Sequence, residues 1–313
     1  MPLPNFFIVG APQAGTAFLY ACLQQHPQIY LSALKEPNYF ASELHPGNFA
    51  EEASSGLVTI WGAYLKLFDN VSDEIAIGEA SPSYLWSQTA ARNIASRMPR
   101  ARIIINLRNP LDRAFSHYLH AVASGLTERT FRQEIEAALH PQHTPSGLER
   151  SLLEFGEYYE QIKRYQQAFS RPQMHISLFE DLQRTPAAVV EDLLAFLGVN
   201  PDIKLEVCKR HLQDWIYRPD GLTHFLEKWR VWPYLRNLVP QPFGLRLRSM
   251  LRPRTSLQMA PADRALLIDY YRDDIRRLAE LLNRDLSAWL QPAQHDQFKT
   301  ASLRRAGHPR HPR

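Results

Sequence analysis

The segment FFIVGAPQAGTAFLY, residues 6–20, decides the fold of this chain. An apolar run typical of a buried strand leads into a turn bracketed by Gly10 and Gly15, and an apolar-faced helix follows. Glycines let successive backbone N–H groups point inward, and the beginning of a helix carries a partial positive charge. The turn at 10–17 therefore predicts an anion site, although turns of this kind also occur for purely structural reasons.

Short apolar runs of the same type recur along the chain. The predicted strands are 5–9, 75–78, 102–107 and 174–179, each apolar on both faces as in a parallel sheet. Amphipathic stretches between and after them predict helices at 16–25, 110–123, 131–139, 186–197 and 261–282. This alternation predicts an α/β fold, an open parallel sheet with helices on both faces.

Local signals mark the ends of two of these helices. Thr130 and Gln133 have the spacing of a capping box at the start of the third helix. Thr185 is predicted to cap the helix that Pro186 opens, and Gly198 is predicted to end it.

Charge and composition exclude several classes of protein. The formal net charge of +4 arises in the tail 296–313, where five basic side chains accompany one aspartate. We interpret the tail as a basic, disordered end and expect no nucleic-acid partner. No apolar run reaches the length of a membrane span, the first residues lack a signal-peptide pattern, and two cysteines make no disulfide framework. These features lead us to expect a cytoplasmic protein.

We expect a single α/β domain over residues 1–295. A stretch rich in Trp, Arg, Leu and Pro at 201–260 interrupts the alternation of predicted strands and helices, and we interpret it as a helical insertion. The insertion is either a packed subdomain or a lid over the side where an acceptor binds.

Two departures from the pattern of ATP- and GTP-binding loops indicate what the anion site holds. Gly10 and Gly15 have the separation of a Walker A loop, but Thr16 stands where the lysine belongs. The third predicted strand ends at Arg108, where a Walker B strand would supply an aspartate for Mg²⁺. An arginine repels a metal and grips a phosphate, and Ser116 offers a hydroxyl in the next helix. We therefore predict a nucleotide with phosphates at two places and no metal ion, and disfavour a phosphotransferase that uses ATP.

Structural interpretations of the same arginines are also open. Arg108 can simply tie its strand to the following helix, and Arg113 can pair with Asp112 or another carboxylate.

Several stretches taken together resemble one enzyme family. VGAPQAGTAFLY (9–20) resembles the 5′-phosphosulfate loop of sulfotransferases that use 3′-phosphoadenosine 5′-phosphosulfate (PAPS), and LRNPLDRAFSHY (107–118) resembles their 3′-phosphate motif. LKEPNYF (34–40), IGEASPSYL (77–85) and the region 156–199 are similar to the carbohydrate-type and bacterial members. The likeness spans most of the chain in the family's order and is weakest in the insertion.

The resemblance implies a P-loop-like α/β fold and transfer of a sulfuryl group from PAPS to a hydroxyl or amine without a metal ion. Arg108 and Ser116 would hold the 3′-phosphate, and Thr16 would add its hydroxyl to a backbone nest for the 5′-phosphosulfate. The residues of that nest are Gln13, Ala14, Gly15, Thr16 and Ala17. The implied acceptor is a carbohydrate or glycolipid, with small molecules also open.

The resemblance also implies residues on the acceptor side. Glu36 in KEPNYF matches the glutamate that acts as general base, and His120 matches a histidine near the acceptor in the N-sulfating members. Both residues also have a structural interpretation, in which Glu36 pairs with Lys35 and His120 is an ordinary surface histidine. Glu79 in GEASPSY is expected to be a hydrogen-bonded structural carboxylate, and His117 with His120 lacks a third metal ligand.

Gln13 is the main departure from the family's pattern, which has a lysine there and a second hydroxyl at Ala17. Glutamine brings no charge to the departing oxygen, and loss of one such donor costs on the order of 10²–10³ in rate. Three explanations are open. The chain is an active enzyme in which Lys35 or an arginine of the lid supplies the positive charge that the lysine would bring, or it is a slow enzyme. The third is that it is a catalytically impaired relative. The last would only bind PAPS or its product, 3′-phosphoadenosine 5′-phosphate (PAP). We favour the enzyme and predict that Gln13→Lys raises turnover with little change in nucleotide affinity.

Overall fold

The computed structural model describes residues 2–41, 58–140, 147–206 and 258–292. Within these ranges five strands form one sheet in the order β2-β3-β1-β4-β5, and every neighbouring pair is parallel. The strands are β1 (Phe6–Gly10), β2 (Ile29–Leu31), β3 (Ala76–Ala80), β4 (Arg102–Leu107) and β5 (Met174–Leu178). Because β1 is central, the turn that follows it lies at the middle of the carboxyl edge, where open α/β sheets bind ligands.

Helices connect the strands and flank the sheet. In the described part of the chain they are α1 (Thr16–Leu23), α2 (Trp61–Leu65), α3 (Ala90–Arg97), α4 (Pro110–Ala123), α5 (Phe131–Leu139), α6 (Gly147–Glu154), α7 (Tyr158–Ala168), α8 (Phe179–Arg184), α9 (Pro186–Leu197) and α10 (Pro261–Leu282). The bounds of α4, α5, α9 and α10 are those predicted from the sequence, whereas α1 ends two residues before its predicted end.

The sheet is buried on both faces. In β1, Phe6 and Ile8 belong to one apolar cluster and Phe7 and Val9 to another, and all four are fully buried. Side chains of α1, α8 and α9 complete the first cluster, and side chains of α3, α7 and α10 contribute to the second. Burial of each such side chain contributes about 1.5–3 kcal/mol, which explains why the strands are apolar throughout. The predicted α/β architecture is confirmed.

Two of the three predicted helix-end signals are confirmed. Thr130 and Gln133 form the capping box of α5, and Gly198 ends α9 with a φ of 70° in the left-handed region. Thr185 is the N-cap residue of α9, as predicted, but its side chain makes no capping hydrogen bond there. Its hydroxyl lies 3.3 Å from the carbonyl oxygen of Asp181 and donates to it, because α8 ends immediately before α9 begins.

Several predicted features lie outside the described residues. The insertion at 201–260 is described only at 201–206 and 258–260, and the tail 296–313 is not described. Their roles therefore stay predictions. None of the helices in the described ranges combines the length and the apolar character needed to cross a bilayer.

Candidate active site at the carboxyl edge of the sheet

The turn after β1 requires glycine at both of its ends. A Cβ at Gly10 would lie 2.5 Å from the Cβ of Leu85, so no side chain fits there. Gly15 has a φ of +85° directly before α1, a left-handed conformation that costs other residues about 1–2 kcal/mol. The two glycines let the chain pass from strand to helix through a short, closely packed turn.

Asn106 in β4 anchors this turn. Its main-chain carbonyl accepts a hydrogen bond from the N–H of Ala11 at 2.7 Å, and its side-chain amide donates to the carbonyl of Ala14. Its Oδ1 accepts from the hydroxyl of Ser177 in β5 at 2.8 Å. Asn106 is fully buried and these bonds satisfy its polar groups. The two neighbouring strands therefore fix the position of the turn.

The beginning of α1 supports the predicted anion site. The N–H groups of Thr16 and Ala17 lie in the first turn, where no carbonyl within the helix can accept from them. The helix dipole adds a partial positive charge at this end. Ala14 and Thr16 are buried, so an anion here would be held in a partly desolvated environment that strengthens its electrostatic attraction.

Arg108 follows β4 directly and reaches back to the turn. Its Nη1 donates to the main-chain carbonyl of Gln13 at 2.8 Å. The guanidinium lies 4.7 Å from the centre of the Phe179 ring, and the hydroxyl of Tyr158 donates to the main-chain carbonyl of Arg108 at 3.0 Å. The turn after β1 and the Phe179 ring thus position the guanidinium, while Tyr158 holds the main chain of Arg108.

Two carboxylates lie near this guanidinium. Burial lowers the pKa of Arg108, and the negative charges of Asp112 and Glu180 oppose that shift. Glu180 also accepts a hydrogen bond from the main-chain N–H of Asn109 at 3.1 Å, which holds it beside the start of α4. An arginine keeps its charge over the whole physiological range, so Arg108 offers a partly buried cation at the carboxyl edge.

Ser116 and Gln13 make a direct contact across the site. Ser116 lies on α4, is 9% exposed, and donates from its Oγ to the Oε1 of Gln13 at 3.1 Å. Gln13 itself has a φ of 64° in the left-handed region. The structure therefore brings three predicted site residues together, with Gln13 between Arg108 and Ser116.

Arg113 does not pair with a carboxylate as the sequence had suggested. It is fully buried, and its guanidinium donates to the main-chain carbonyls of Ser151, at 3.2 Å, and Leu152. Those carbonyls belong to the last turn of α6, where no N–H group within the helix donates to them. Asp112 instead pairs with Arg264 at 2.8 Å. Arg113 therefore joins α4 to α6 and takes no part in the candidate site.

Glu36 occupies the same edge of the sheet, beyond β2. Its main-chain N–H donates to the carbonyl of Ala80 at the end of β3, at 3.0 Å. Its side chain is 48% exposed, and the Nζ of Lys35 lies 3.8 Å from its Oε1. An exposed pair of this kind contributes about 0–1 kcal/mol, so the pairing leaves the carboxylate available to accept a proton. One strand, β3, separates this loop from the turn after β1.

Glu79 in β3 is a fully buried carboxylate that accepts three hydroxyl hydrogen bonds. The donors are Ser81 at 2.7 Å, Tyr84 at 2.8 Å and Tyr64 at 3.1 Å. Burial raises the pKa of Glu79 to about 7; the hydroxyls oppose this shift and the negative charge of Glu36 adds to it. This arrangement agrees with the prediction of a hydrogen-bonded structural carboxylate.

Two of these hydroxyls also hold the loop that carries the candidate base. The Oγ of Ser81 accepts from the main-chain N–H of Asn38, and the hydroxyl of Tyr84 accepts from that of Phe40, each at 3.2 Å. Since Glu79 takes the protons of both hydroxyls, it directs their oxygen lone pairs toward the loop. Glu79 thereby positions the loop 36–40 without facing an acceptor itself.

The two histidines of α4 have different surroundings. His120 lies one helical turn after Ser116 and is exposed, and its role near an acceptor stays a prediction. The Nε2 of His117 lies 2.8 Å from the Oγ of Ser151, and burial together with the charge of Arg113 lowers the pKa of His117 to about 3. Across the described ranges, no group of three His, Cys, Asp or Glu side chains is arranged to hold a metal ion.

Sequence reasoning missed three residues that shape the site. Asn106 had a recognisable signal, since it is the polar residue within the otherwise apolar run IIINL. Phe179 and Tyr158 had none, because their contacts with Arg108 arise only when distant segments meet.

Comparison with known proteins identifies the family of this domain and a solved structure of the same fold. Residues 3–219 match the family described as sulfotransferase domain. A solved sulfotransferase from Alicyclobacillus acidocaldarius is 32% identical to this chain with a TM-score of 0.74, and the match covers 93% of this chain and 100% of that one. The fold is therefore shared over nearly the whole length of both chains.

Curated relatives are longer proteins. Human bifunctional heparan sulfate N-deacetylase/N-sulfotransferase 2 is 28% identical over 308 residues, which are 95% of this chain and 32% of the relative. Human carbohydrate sulfotransferase 15 is 29% identical over 174 residues, 44% of this chain and 30% of the relative. The chain thus spans about a third of the length of the first of these relatives. Because the domain match covers more than half of it, the chain belongs to the sulfotransferase family, a family of enzymes.

Proposed function

We propose that this chain transfers a sulfuryl group from PAPS to a hydroxyl or amine of a carbohydrate or glycolipid, by an in-line displacement that needs no metal ion. The observation that carries the proposal is the contact of Gln13 with both Arg108 and Ser116. It joins the turn that leads into α1 to a guanidinium at the end of the neighbouring strand β4 and to a hydroxyl on α4. Two neighbouring anion sites suit a nucleotide with phosphate groups at its 5′ and 3′ positions.

The donor would be held at both ends. The backbone at 13–17, with the hydroxyl of Thr16, binds the 5′-phosphosulfate through N–H groups and the helix dipole. Arg108 and Ser116 bind the 3′-phosphate. At the strand end where a magnesium-dependent enzyme places a carboxylate, this chain places a cation, which supports a donor that binds without a metal ion.

Glu36 would act as the general base. As the acceptor oxygen or nitrogen attacks sulfur, its proton passes to the Glu36 carboxylate. The bond from sulfur to the phosphate oxygen breaks as the new bond forms, and the electron pair leaves with PAP. Donors at the start of α1 stabilise the charge that develops on that oxygen. Lys35, whose Nζ lies 3.8 Å from the Oε1 of Glu36, adds positive charge on this side. His120 would lie near the bound acceptor.

The acceptor class is supported by similarity alone. The relatives reported above are named for heparan sulfate and for carbohydrate, which favours a sugar hydroxyl or a sugar amine here. The first of these relatives is about three times as long as this chain, and its activities belong to that longer protein.

A second candidate function is that of a catalytically impaired protein that binds PAP or PAPS. Gln13 favours it, because glutamine brings no charge to the leaving oxygen and its Oε1 is already bonded to Ser116. Nucleotide binding would then persist without turnover, since the backbone nest and Arg108 do not depend on the side chain at position 13.

One experiment separates these functions. PAPS is incubated with a panel of sugars that carry free hydroxyl or amino groups, and release of PAP is followed for the wild type, Gln13→Lys and Glu36→Gln. We expect PAP release that depends on the acceptor and that chelators do not abolish. Gln13→Lys should accelerate this release, and Glu36→Gln should slow it about 10²–10⁴-fold. Binding of PAP without release by any variant would support the second candidate. Thermal stabilisation by ATP with Mg²⁺ but not by PAP would contradict both.

A further inference from the structure

Gln13 makes two contacts, and they differ in how many hydrogen-bond donors they leave for a phosphate. Its main-chain carbonyl takes one of the five N–H donors of Arg108, at 2.8 Å, so that guanidinium keeps further donors for a phosphate. Its side-chain Oε1 takes the hydroxyl proton of Ser116, at 3.1 Å. A serine hydroxyl has a single proton to donate, so a hydroxyl that serves Gln13 cannot at the same time serve a phosphate oxygen.

We propose that Gln13 is a latch on the 3′-phosphate site. Its side-chain carbonyl holds the hydroxyl of Ser116, and a 3′-phosphate must displace that carbonyl before it gains its full set of hydrogen bonds. This inference rests on the proposed function and names the residue that sets the affinity of the same site for the 3′-phosphate. Gln13, which stands where the family's pattern has a lysine, would then set how readily the product PAP is released.

Burial gives the latch its strength. Ser116 is 9% exposed, so water competes weakly for its hydroxyl. A hydrogen bond of this kind contributes a net factor of about two- to tenfold to an equilibrium. Gln13 is held at the right place by its own backbone, whose carbonyl is fixed by Arg108, so only its side chain has to move when the latch opens.

Truncation of the Gln13 side chain is expected to change nucleotide affinity in an unusual direction. A residue that binds the nucleotide weakens binding when it is truncated, whereas removal of a latch strengthens it. Gln13→Met removes the acceptor oxygen and keeps nearly the same length and volume. The matched ligands are PAP and adenosine 5′-phosphate (AMP), which differ only in the 3′-phosphate.

Titration calorimetry with both ligands tests the latch in the wild type, Gln13→Met, Ser116→Ala and the double variant. We expect Gln13→Met to raise the ratio of PAP affinity to AMP affinity about two- to tenfold. Ser116→Ala should lower that ratio, and adding Gln13→Met to Ser116→Ala should change nothing further, because no hydroxyl remains to be released. Binding of AMP reports that the 5′ site of each variant is intact.

Two results of these titrations would overturn the latch. A ratio that Gln13→Met lowers or leaves unchanged, while Ser116→Ala lowers it, overturns the latch and leaves the proposed donor site standing. A wild type that binds PAP and AMP equally overturns the proposed function itself, and the latch with it.

Discussion

Replacement of Glu79 by glutamine is expected to remove a pH-dependent weakening of the fold. The carboxyl group is fully buried, and the hydroxyls of Ser81, Tyr84 and Tyr64 surround it. Glutamine has nearly the same shape and is neutral, so it stands in for the protonated carboxyl. It keeps one carbonyl oxygen as acceptor for the two tyrosines.

The magnitude follows from the pKa. Burial raises the pKa of Glu79 from 4.5 to about 7, so the folded state binds more protons than the unfolded state between those values. The free energy of unfolding therefore falls as pH rises through that window and is constant above it. Between pH 5 and pH 8 the contribution of Glu79 falls by about 2–3 kcal/mol. Glu79→Gln should lose this part of the pH dependence.

Urea denaturation at pH 5 and pH 8 measures the effect for the wild type, Glu79→Gln and Glu136→Gln. Glu136 is an exposed residue of α5, so its substitution controls for removal of a surface charge. Stability of Glu79→Gln relative to the wild type should increase by about 2–3 kcal/mol from pH 5 to pH 8, while the control runs parallel to the wild type. Parallel curves for all three proteins would refute the assignment of Glu79 as a buried group with a raised pKa.

Three further substitutions test the site. Glu36→Gln should lower the rate of PAP release about 10²–10⁴-fold while calorimetric affinity for PAP stays unchanged, and lost PAP affinity would indicate a role in donor binding instead. Arg108→Lys should weaken binding of PAP by about 1–3 kcal/mol and leave binding of AMP unchanged, because lysine cannot bind a phosphate through two parallel N–H groups. Equal losses of affinity for both ligands would contradict this role of Arg108. Gly15→Ala should cost about 1–2 kcal/mol in urea denaturation, since φ is +85° and the new Cβ would lie 3.0 Å from Leu182; an unchanged midpoint would argue against the left-handed turn.

Elements with strong periodicity or clear end signals were predictable from the sequence. The strand at 102–107 is a continuous apolar run, and the helix at 110–123 begins at a proline, and both have the predicted bounds. The edge strand β2 was missed because three residues are too few to show a period. The side chain of Thr185 does not cap α9, because Thr185 also ends α8 and its hydroxyl donates to the carbonyl of Asp181, four residues earlier.

The site was predictable where chemistry follows a local motif. The glycine turn and Arg108 at a strand end are read directly from spacing, whereas the contact of Gln13 with Ser116 joins residues 103 positions apart. The anchoring of the turn by Asn106 joins residues 92 positions apart, and it depends on which strands become neighbours. Spacing along a chain carries no information on such contacts, so they required the structure.

The cluster around Glu79 illustrates the same limit. The motif GEASPSY places a carboxylate near two hydroxyls, but its third donor, Tyr64, comes from α2, which the sequence did not predict. The consequence of that cluster for the loop of Glu36 appears only when Asn38 and Phe40 are seen to donate to the same hydroxyls.

A crystal structure of the protein with bound PAP tests the two-site assignment most directly. We expect the 5′-phosphate at the main-chain N–H groups of 13–17, the 3′-phosphate on Arg108 and Ser116, and the Oε1 of Gln13 displaced from the serine hydroxyl. PAP bound with either of these two sites empty would contradict the assignment of this edge of the sheet as the donor site.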